Sequence, residues 1–451
     1  MRYLPHSNIE REQMLKAIGV NEIDELFKVV PASVYKKKSF ELPNHSPEFL
    51  VQAKLEAMAN KNLCAANSAF FIGGGAYRHH IPASVDHLIQ RSEWLTAYTP
   101  YQPEISQGTL QALFEFQTQV ANLMAMDVAN ASMYDGSTAT AEAALMARRI
   151  TRKKKIILSS SLHPQYKDVV KTYLNDDGKS EGDLICLPDS EDNKGNISSL
   201  IDENTAAIIV QTPDFYGHLR DVKSLAEAAH AQGALLIVVI TEIISLGLLE
   251  APGSMGADIV VAEGQSLGNP LNYGGPFLGL MATRQKYVRQ LPGRLCGETI
   301  DANGKRGYVL TLSTREQHIR REKATSNICT NAGLCSLAFS IHLSLLGQKG
   351  FVKLARLNHA RAIAMVKTLE KIEGVELLNK TFFNEVTLRL SKPANEVVEA
   401  LAKKNILCGI PVSRLVPNEP RLENLLVLAA TELTTDQDIK ILASSLAKEL
   451  S

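Results

Sequence analysis

The amino-acid sequence predicts a large α/β domain with a mainly parallel sheet, preceded by an N-terminal helical arm and followed by a small C-terminal α+β domain. Two observations predict the large domain: short apolar runs recur through the middle of the chain, and segments with helical periodicity separate them. Buried strands of a parallel sheet alternate with crossover helices in this way. A change of pattern near residue 351 predicts the third part. The expected divisions are residues 1–65, 66–350 and 351–451.

Short amphipathic helices are expected in the arm. Ser7 is followed three residues later by Glu10, which is the spacing of a capping box, and apolar residues follow at Met14 and Ile18. A second helix is expected after residues 46–47, because a proline suits the first turn of a helix. The first 65 residues are therefore predicted to be helical.

The large domain begins with two predicted helices, at residues 109–125 and 136–149, where apolar or alanine residues recur every three or four positions. The apolar runs that follow have the length of buried strands. They lie at residues 155–158, 184–187, 206–210, 235–240, 258–262 and 276–282. The segment 222–232 has helical periodicity, so it is expected to be one of the crossovers that cover the sheet.

A long helix is predicted from about residue 351, with Leu354, Leu357 and Ile363 on one face. Four apolar segments after it are predicted to be strands: VELLN, FNEVTLRL, ILCGIPV and NLLVLAA. Helices are expected near residues 395–404 and 435–449. Strands and helices in this order predict a small α+β domain.

The charge balance disfavours partners that bind through bulk electrostatic attraction. Lysine plus arginine and aspartate plus glutamate both number 48, which gives a formal net charge of +0. Nucleic acid and anionic lipid are both attracted by a net positive surface. We therefore expect no nucleic-acid partner.

The cysteines and the hydropathy of the chain favour a cytoplasmic protein. The six cysteines are dispersed and lack the CxxC spacing of a zinc site, so free thiols and no metal site are expected. No stretch reaches about 18 uninterrupted apolar residues, and the first residues lack the apolar core of a secretion signal. No membrane-spanning segment is expected.

A glycine and two hydroxyl residues begin the second predicted helix of the large domain. Gly136, Ser137 and Thr138 follow Asp135, and the free N–H groups at the start of a helix favour an anion such as phosphate. An aspartate before small residues is also the ordinary N-cap of a helix. The sequence leaves both interpretations open.

The layout is similar to that of the aspartate-aminotransferase-like enzymes, which are pyridoxal-phosphate proteins of fold type I. Such an enzyme holds its cofactor on a lysine near the end of the large-domain sheet. No lysine occurs between Lys223 and Lys286, and the turn that should carry it has the sequence AEGQSLGN at residues 262–269. Glutamine, serine and leucine side chains cannot form an imine. On chemistry alone, this chain is not expected to hold the cofactor covalently.

Six longer segments give a more specific resemblance. They are FIGGGAY (71–77), YTPYQPEISQGTL (98–110), SLGLL (245–249), EGQSLG (263–268), YGGPFL (273–278) and REQHIRREKATSNICTN (315–331). Together and in this order they resemble the glycine dehydrogenase (decarboxylating) P-protein family, and within it the first, alpha subunit of the two-subunit form. The resemblance covers nearly the whole chain. Glu242, Ile243 and Ser313 depart from the family pattern, which puts any cofactor contact of Glu242 in doubt.

The resemblance implies a subunit of the glycine cleavage system. Its P-protein uses pyridoxal phosphate to release CO2 from glycine and passes the aminomethyl group to the lipoyl arm of the H-protein. In the two-subunit form, the second subunit carries the cofactor lysine, and two copies of each subunit form a heterotetramer. The expected role of this chain is to complete the active site of the second subunit. The alternative is a non-catalytic scaffold subunit whose pocket has decayed.

The resemblance also suggests which residues of this chain reach the shared active site. Tyr98, Tyr101 and Gln102 belong to a polar, aromatic loop, and Ser326 and Asn327 belong to a turn with several hydroxyl groups. The first segment is alternatively a packed structural loop, and the second is alternatively part of a charged helix face. No catalytic, cofactor-binding or metal-binding residue is expected on this chain.

Two histidines follow a run of three glycines. They are His79 and His80, which with Arg78 come directly after FIGGGAY. The conformational freedom of the glycine backbone there permits close approach of another chain or ligand. A histidine pair beside a turn more often lies at a surface than in an acid–base device. We therefore expect an interface role for this segment rather than catalysis.

Overall fold

A computed structural model describes residues 5–35, 41–174, 183–191, 197–328 and 330–451. Two compact units divide the chain, Met1–Asn62 and Leu63–Ser451. Cys329, which belongs to the last of the six motifs, lies outside the described residues.

Helices and strands account for about half of the described chain. The helices are α1 (Asn8–Ile18), α2 (Glu48–Ala59), α3 (Ala83–Ile89), α4 (Gln107–Met124), α5 (Gly136–Thr151), α6 (Pro164–Leu174), α7 (Val222–Ala231), α8 (Gln317–Arg320), α9 (Gly333–Leu369), α10 (Ala394–Ala402), α11 (Val412–Leu415) and α12 (Asp436–Leu450). The strands are β1 (Ala69–Phe70), β2 (Val128–Ala129), β3 (Lys155–Leu158), β4 (Leu184–Cys186), β5 (Thr205–Gln211), β6 (Leu235–Ile240), β7 (Ile259–Glu263), β8 (Gly279–Thr283), β9 (Leu295–Ile300), β10 (Arg306–Thr311), β11 (Val375–Leu377), β12 (Glu385–Leu390), β13 (Ile406–Leu407), β14 (Ile410–Pro411) and β15 (Leu425–Ala429). None of the described helices is long and apolar enough to cross a membrane.

The N-terminal unit contains α1 and α2. The Ser7 hydroxyl accepts a hydrogen bond from the Glu10 N–H at 3.3 Å, and the Glu10 carboxylate accepts the Ser7 N–H at 2.6 Å. The predicted capping box is therefore confirmed. Helix α1 ends at Gly19, which has a left-handed conformation, and α2 starts directly after Pro47.

Seven strands of the described residues form the central sheet, in the order β2-β8-β7-β6-β5-β3-β4. Five neighbouring strands of this sheet are parallel, namely β7, β6, β5, β3 and β4. Strand β8 is antiparallel to both of its neighbours, β2 and β7. The six predicted apolar runs form β3 to β8, and the predicted crossover forms α7, which connects β5 to β6. The prediction of a mainly parallel sheet is confirmed.

Both faces of this sheet are buried. Ile208 and Val210 of β5 belong to the same hydrophobic cluster as Phe116 of α4. Ile209, between them, packs on the opposite face in the same cluster as Met146 of α5. Successive residues of a strand point to opposite faces, so a strand covered on both sides has an uninterrupted apolar sequence.

A four-stranded antiparallel sheet, ordered β11-β12-β15-β14, forms near the C-terminus of the described chain. Helix α9 leads into it and is kinked at Gly347, whose φ is 57°. The hydrophobic cluster on this sheet includes residues of α10 and α12. Strand β1 pairs in parallel with β13, so the chain contacts this region just before the glycine-rich segment that follows β1.

Candidate active site

A cavity of about 480 Å³ opens at the carboxyl ends of the parallel strands. His163 after β3, Glu263 at the end of β7, Asp135 before α5 and the turn at residues 74–76 contribute to its walls. Parallel α/β sheets bind ligands at this edge. The cavity therefore has the position of a ligand site.

The start of α5 has its own caps. The Asp135 carboxylate accepts hydrogen bonds from the Thr138 N–H and the Ser137 hydroxyl, both at 2.7 Å. The Thr138 hydroxyl lies 3.3 Å from the Asp135 N–H, which completes a capping box. The ordinary N-cap is thus present, and the alternative of an anion at this turn stays a prediction.

Glu263 reaches from the end of β7 to the start of α5. Its Oε2 accepts the Gly136 N–H at 2.9 Å, and its Oε1 accepts the N–H groups of Gln265 at 3.0 Å and Leu278 at 2.9 Å. Burial raises the pKa of Glu263 to about 8, although the three N–H donors oppose this shift. The sequence does not predict this role for Glu263, because the only unusual feature of the EGQSLG segment is that it lacks a lysine.

His163 is a neutral histidine in the wall of the cavity. Its Nε2 lies 2.8 Å from the Gly74 carbonyl, and its Nδ1 lies 3.2 Å from the Gln165 N–H. This pairing requires the proton on Nε2, which donates to the carbonyl. Burial lowers the pKa of His163 to about 4, so the ring is uncharged at neutral pH.

A buried imidazolium lies beside this site. The His79 Nδ1 donates to Glu432 at 2.8 Å, and its Nε2 donates to Glu242 at 2.9 Å. Burial lowers the pKa of His79, but the charges and hydrogen bonds of the two carboxylates outweigh it and raise the pKa to about 10. Although burial opposes the change, His79 lowers the pKa of Glu432 to about 2.

The preceding residues make a second set of contacts between the two sheets. Tyr77 donates its hydroxyl proton to Glu385 of β12 at 2.9 Å, and the Gly74 N–H donates to the same carboxyl group at 2.5 Å. The Tyr77 N–H donates to the Gln265 side chain beyond β7 at 3.0 Å. The glycine-rich segment is therefore fixed between the central sheet and the C-terminal sheet.

These contacts correct one expectation for His79 alone. The sequence suggests an interface role for residues 78–80, but the His79 side chain is only 2% exposed and bonds within its own chain. His80 is exposed, so its interface role stays a prediction. The doubt about Glu242 is consistent with the structure, because its carboxylate bonds to His79 and accepts the Ile244 N–H at 3.1 Å. Sequence reasoning missed this ion pair because Glu432 is 353 residues away from His79.

All five residues predicted to line a shared pocket are described, and they lie outside the walls of the 480 Å³ cavity. Tyr98 is 87% exposed and borders a second cavity of about 340 Å³. Tyr101, Gln102 and Asn327 are exposed, whereas Ser326 is partly buried. The Ser326 hydroxyl accepts the Ile328 N–H at 3.0 Å.

Arg294 brings the two predicted segments together. Its guanidinium donates to the Tyr101 hydroxyl at 3.1 Å and to the side-chain Oδ1 of Asn331 at 3.3 Å, and it lies 5.4 Å from the centre of the Tyr101 ring. Arg294 and Ser326 line the same small recess, while Asn331 borders the Tyr98 cavity. Sequence reasoning missed Arg294, because an isolated arginine before a strand predicts only a surface charge.

Solved structures define the class of the fold. A Burkholderia pseudomallei sphingosine-1-phosphate lyase is 14% identical with a TM-score of 0.64, covering 93% of this chain and 94% of that one. A Lactobacillus brevis glutamate decarboxylase is 13% identical with a TM-score of 0.66, covering 93% and 97%. At these identities the likeness shows the fold alone. The chain has the fold of the pyridoxal-phosphate-dependent enzymes of fold type I, as predicted.

The chain belongs to the glycine cleavage system P-protein family, whose sequence profile matches residues 1–446. A crystal structure of a glycine decarboxylase (P-protein) in inhibitor-bound form has a TM-score of 0.89 and 41% identity, and the match covers 99% of this chain and 100% of that one. The probable glycine dehydrogenase (decarboxylating) subunit 1 of Methylocella silvestris is 58% identical over 446 residues, 99% of each chain. Its counterpart in Rhodospirillum centenum is also 58% identical, over all of both chains. The enzyme class expected from the sequence is confirmed.

The residues at the end of β7 do not fit an imine-bound pyridoxal phosphate. The turn provides Gln265 and Ser266, which are buried and carry no amine. The Gln265 amide donates to the Asn269 carbonyl at 2.7 Å, so the side chain already has its own partners. Carboxyl groups also bind two N–H groups at the start of α5, where a phosphate would need donors.

The first prediction concerns the buried ion pairs of His79. His79→Gln is expected to lower the free energy of unfolding of the full chain by about 3–5 kcal/mol at pH 6.5, because it leaves two carboxylates without their cation. The unfolded histidine has a pKa near 6.5 and the folded one a pKa of about 10, so the stabilisation is complete below 6.5 and disappears as pH rises through 10. Urea unfolding across this pH range measures the change.

His230→Gln is the control for this experiment. The His230 ring is 46% exposed and bonds to Asp258 at 2.7 Å, so its loss removes a histidine–carboxylate pair that solvent screens. The His230 variant should keep the decline in stability that the unmodified chain shows above pH 6.5. Equal stability and equal pH dependence of the His79 variant and the unmodified chain would contradict the buried imidazolium.

The second prediction concerns the contact between Arg294 and Tyr101. A double-mutant cycle with Arg294→Met and Tyr101→Phe should give a coupling energy of about 0.5–2 kcal/mol in chemical unfolding, because the exposed tyrosine accepts a hydrogen bond from a buried arginine. The control cycle uses Arg306→Met and Tyr308→Phe, in which the arginine stacks on the ring at 5.2 Å and is 61% exposed. Additive effects in the first cycle would mean that Arg294 does not hold Tyr101.

Proposed function

We propose that this chain is the subunit of a glycine decarboxylase that lacks the cofactor lysine and completes the active site of a lysine-bearing second subunit. The complex releases CO2 from glycine and transfers the aminomethyl group to the lipoyl arm of the H-protein. The observation that carries the proposal is the turn after β7, where the buried Gln265 and Ser266 stand in place of an amine. Full-length similarity to relatives named subunit 1 supports a second subunit.

The cofactor belongs to the partner in this proposal. Pyridoxal phosphate supplies the electron sink that makes loss of CO2 from an amino acid possible. The residues of this chain provide binding, orientation and exclusion of water at the far wall of that pocket. We assign this wall to Tyr98, Tyr101, Gln102, Ser326 and Asn327.

Tyr101 has the clearest role among these residues. Its hydroxyl oxygen accepts an N–H from Arg294, so the proton of the hydroxyl is free to donate to another group. Arg294 is 4% exposed and therefore acts through Tyr101, which is 53% exposed. A tyrosine held in this way can orient a carboxylate or an amine in a neighbouring pocket.

The surface around these residues suits an obligate partner. Leu95, Tyr98 and Leu334 are large apolar or aromatic residues around one cavity, with exposures of 81%, 87% and 58%. Leu334 borders both the 340 Å³ cavity and another of about 490 Å³. Exposed apolar side chains around cavities are typical of protein interfaces. We propose that the second subunit covers this face in a heterotetramer with two copies of each chain.

The division of the chain into an arm (1–65), a large domain (66–350) and a small domain (351–451) is part of the same proposal, and so is a cytoplasmic location. The alternative function is a scaffold subunit with a decayed pocket. A scaffold would assemble with the partner but would tolerate changes of its exposed polar residues without loss of activity.

The third prediction distinguishes these functions. In the assembled complex, Tyr101→Phe and Ser326→Ala should each lower the rate of glycine decarboxylation by a factor that corresponds to about 1–3 kcal/mol, since each removes a hydrogen-bonding group from the shared wall. Release of labelled CO2 from glycine measures the rate. Tyr287→Phe and Ser444→Ala, which change the same groups elsewhere on the chain, should keep the unmodified rate. Full activity of both wall variants in an intact complex would favour the scaffold.

The fourth prediction concerns assembly. Obligate interfaces bury more than about 2,000 Å², so the chain should self-associate alone or bind its partner tightly. Analytical ultracentrifugation at micromolar concentration is the measurement. Leu95→Glu should weaken the complex because it introduces a charge at the apolar face. Val29→Glu introduces the same charge at another exposed apolar residue, and it shows whether the loss of affinity is specific to the apolar face. A stable monomer that ignores the second subunit would contradict the proposal.

A further inference from the structure

We propose that the carboxyl group of Glu263 is a built-in replacement for a bound anion at the start of α5, so that the cavity of this chain excludes phosphate groups. This inference goes beyond the function proposed above. It concerns the chain's own cavity, so it holds or fails independently of what this chain contributes to a partner.

Three backbone N–H groups converge on this one carboxyl group. Gly136 donates to Oε2 at 2.9 Å, while Gln265 and Leu278 donate to Oε1 at 3.0 and 2.9 Å. Donors at the start of a helix and in an adjoining turn are the groups that bind phosphate or sulfate oxygens in other proteins. In this chain a side chain from the end of β7 supplies the acceptor instead.

Close packing keeps this acceptor in place. Glu263 is 2% exposed. A Cβ atom on Gly136 would lie 2.4 Å from the Tyr166 hydroxyl and 3.2 Å from the Glu263 N–H nitrogen, so the helix start lies directly against the end of β7. An external anion could reach these N–H groups only if the Glu263 side chain moved away.

The surroundings also disfavour an external anion. Asp135 borders the same cavity and its carboxylate already binds the Thr138 N–H at 2.7 Å. Among the described residues that line the cavity there is neither a lysine nor an arginine, and His163 is neutral. A phosphate here would face carboxyl groups without a compensating cation, which is unfavourable in a partly buried site.

Chemical rescue tests the proposal in the full chain. Glu263→Ala removes the acceptor and leaves a space with three N–H donors that opens to the cavity. Formate carries the missing pair of acceptor oxygens, so it should raise the unfolding midpoint of this variant well beyond its effect on the unmodified chain. If formate binds with a dissociation constant of about 10 mM, then about 100 mM favours the folded state roughly tenfold.

The control is Leu280→Ala in β8. Leu280 is fully buried, so its truncation also leaves a space, but Leu280 is not one of the three N–H donors. Formate should shift this control no more than it shifts the unmodified chain. An equal effect of formate on all three proteins would overturn the proposal.

A measurement on the unmodified chain tests the proposal if Glu263→Ala folds neither with nor without formate. Hydrogen–deuterium exchange of the peptide that contains Gly136 should be the same with and without inorganic phosphate, because Glu263 already occupies the donors. Slower exchange at this peptide when phosphate is added would show an open anion site and would overturn the proposal.

Discussion

The buried imidazolium of His79, between Glu242 and Glu432, is the interaction on which the site region depends. Glu242 follows the central strand β6, and Glu432 follows β15 of the C-terminal sheet, so one side chain connects both sheets. Tyr77 makes a parallel connection to Glu385. Removal of this cation would leave two buried carboxylates without compensation, which is strongly destabilising. The glycine-rich turn that forms one wall of the 480 Å³ cavity is therefore fixed by charges that solvent does not screen.

The same edge of the sheet supports the proposed division of the chemistry between two subunits. Where a fold type I enzyme needs an amine and free helix N–H groups, this chain has Gln265 and the carboxyl groups of Glu263 and Asp135. The cavity of about 480 Å³ has no lysine or arginine among its described lining residues that could hold pyridoxal phosphate. The exposed loop with Tyr101 remains as a polar surface that a partner's active site can use. A hydrogen bond from Arg294 holds the Tyr101 side chain in place. The proposed division of the chemistry follows from this contrast between interior N–H groups that already have acceptors and an exposed polar loop.

Local sequence patterns predict the secondary structure well, because each depends on neighbouring residues. The run LLIVVI identifies β6, since a strand covered on both faces is continuously apolar, and Ser7 with Glu10 identifies the start of α1. The site is harder to predict, because its contacts join distant positions. Glu263 meets Gly136 across 127 residues, and Arg294 meets Tyr101 across 193. No periodicity encodes such a pair, and the family resemblance indicates the loops without the residues that hold them in place.

The central claim is that this chain shapes an active site without carrying its cofactor. The most direct test is to reduce the assembled two-subunit enzyme with borohydride in the presence of pyridoxal phosphate and to locate the phosphopyridoxyl group by mass spectrometry of both chains. The account predicts one group per pair of chains, attached to a lysine of the second subunit, with this chain unlabelled. A stoichiometric phosphopyridoxyl group on any lysine of this chain would contradict it.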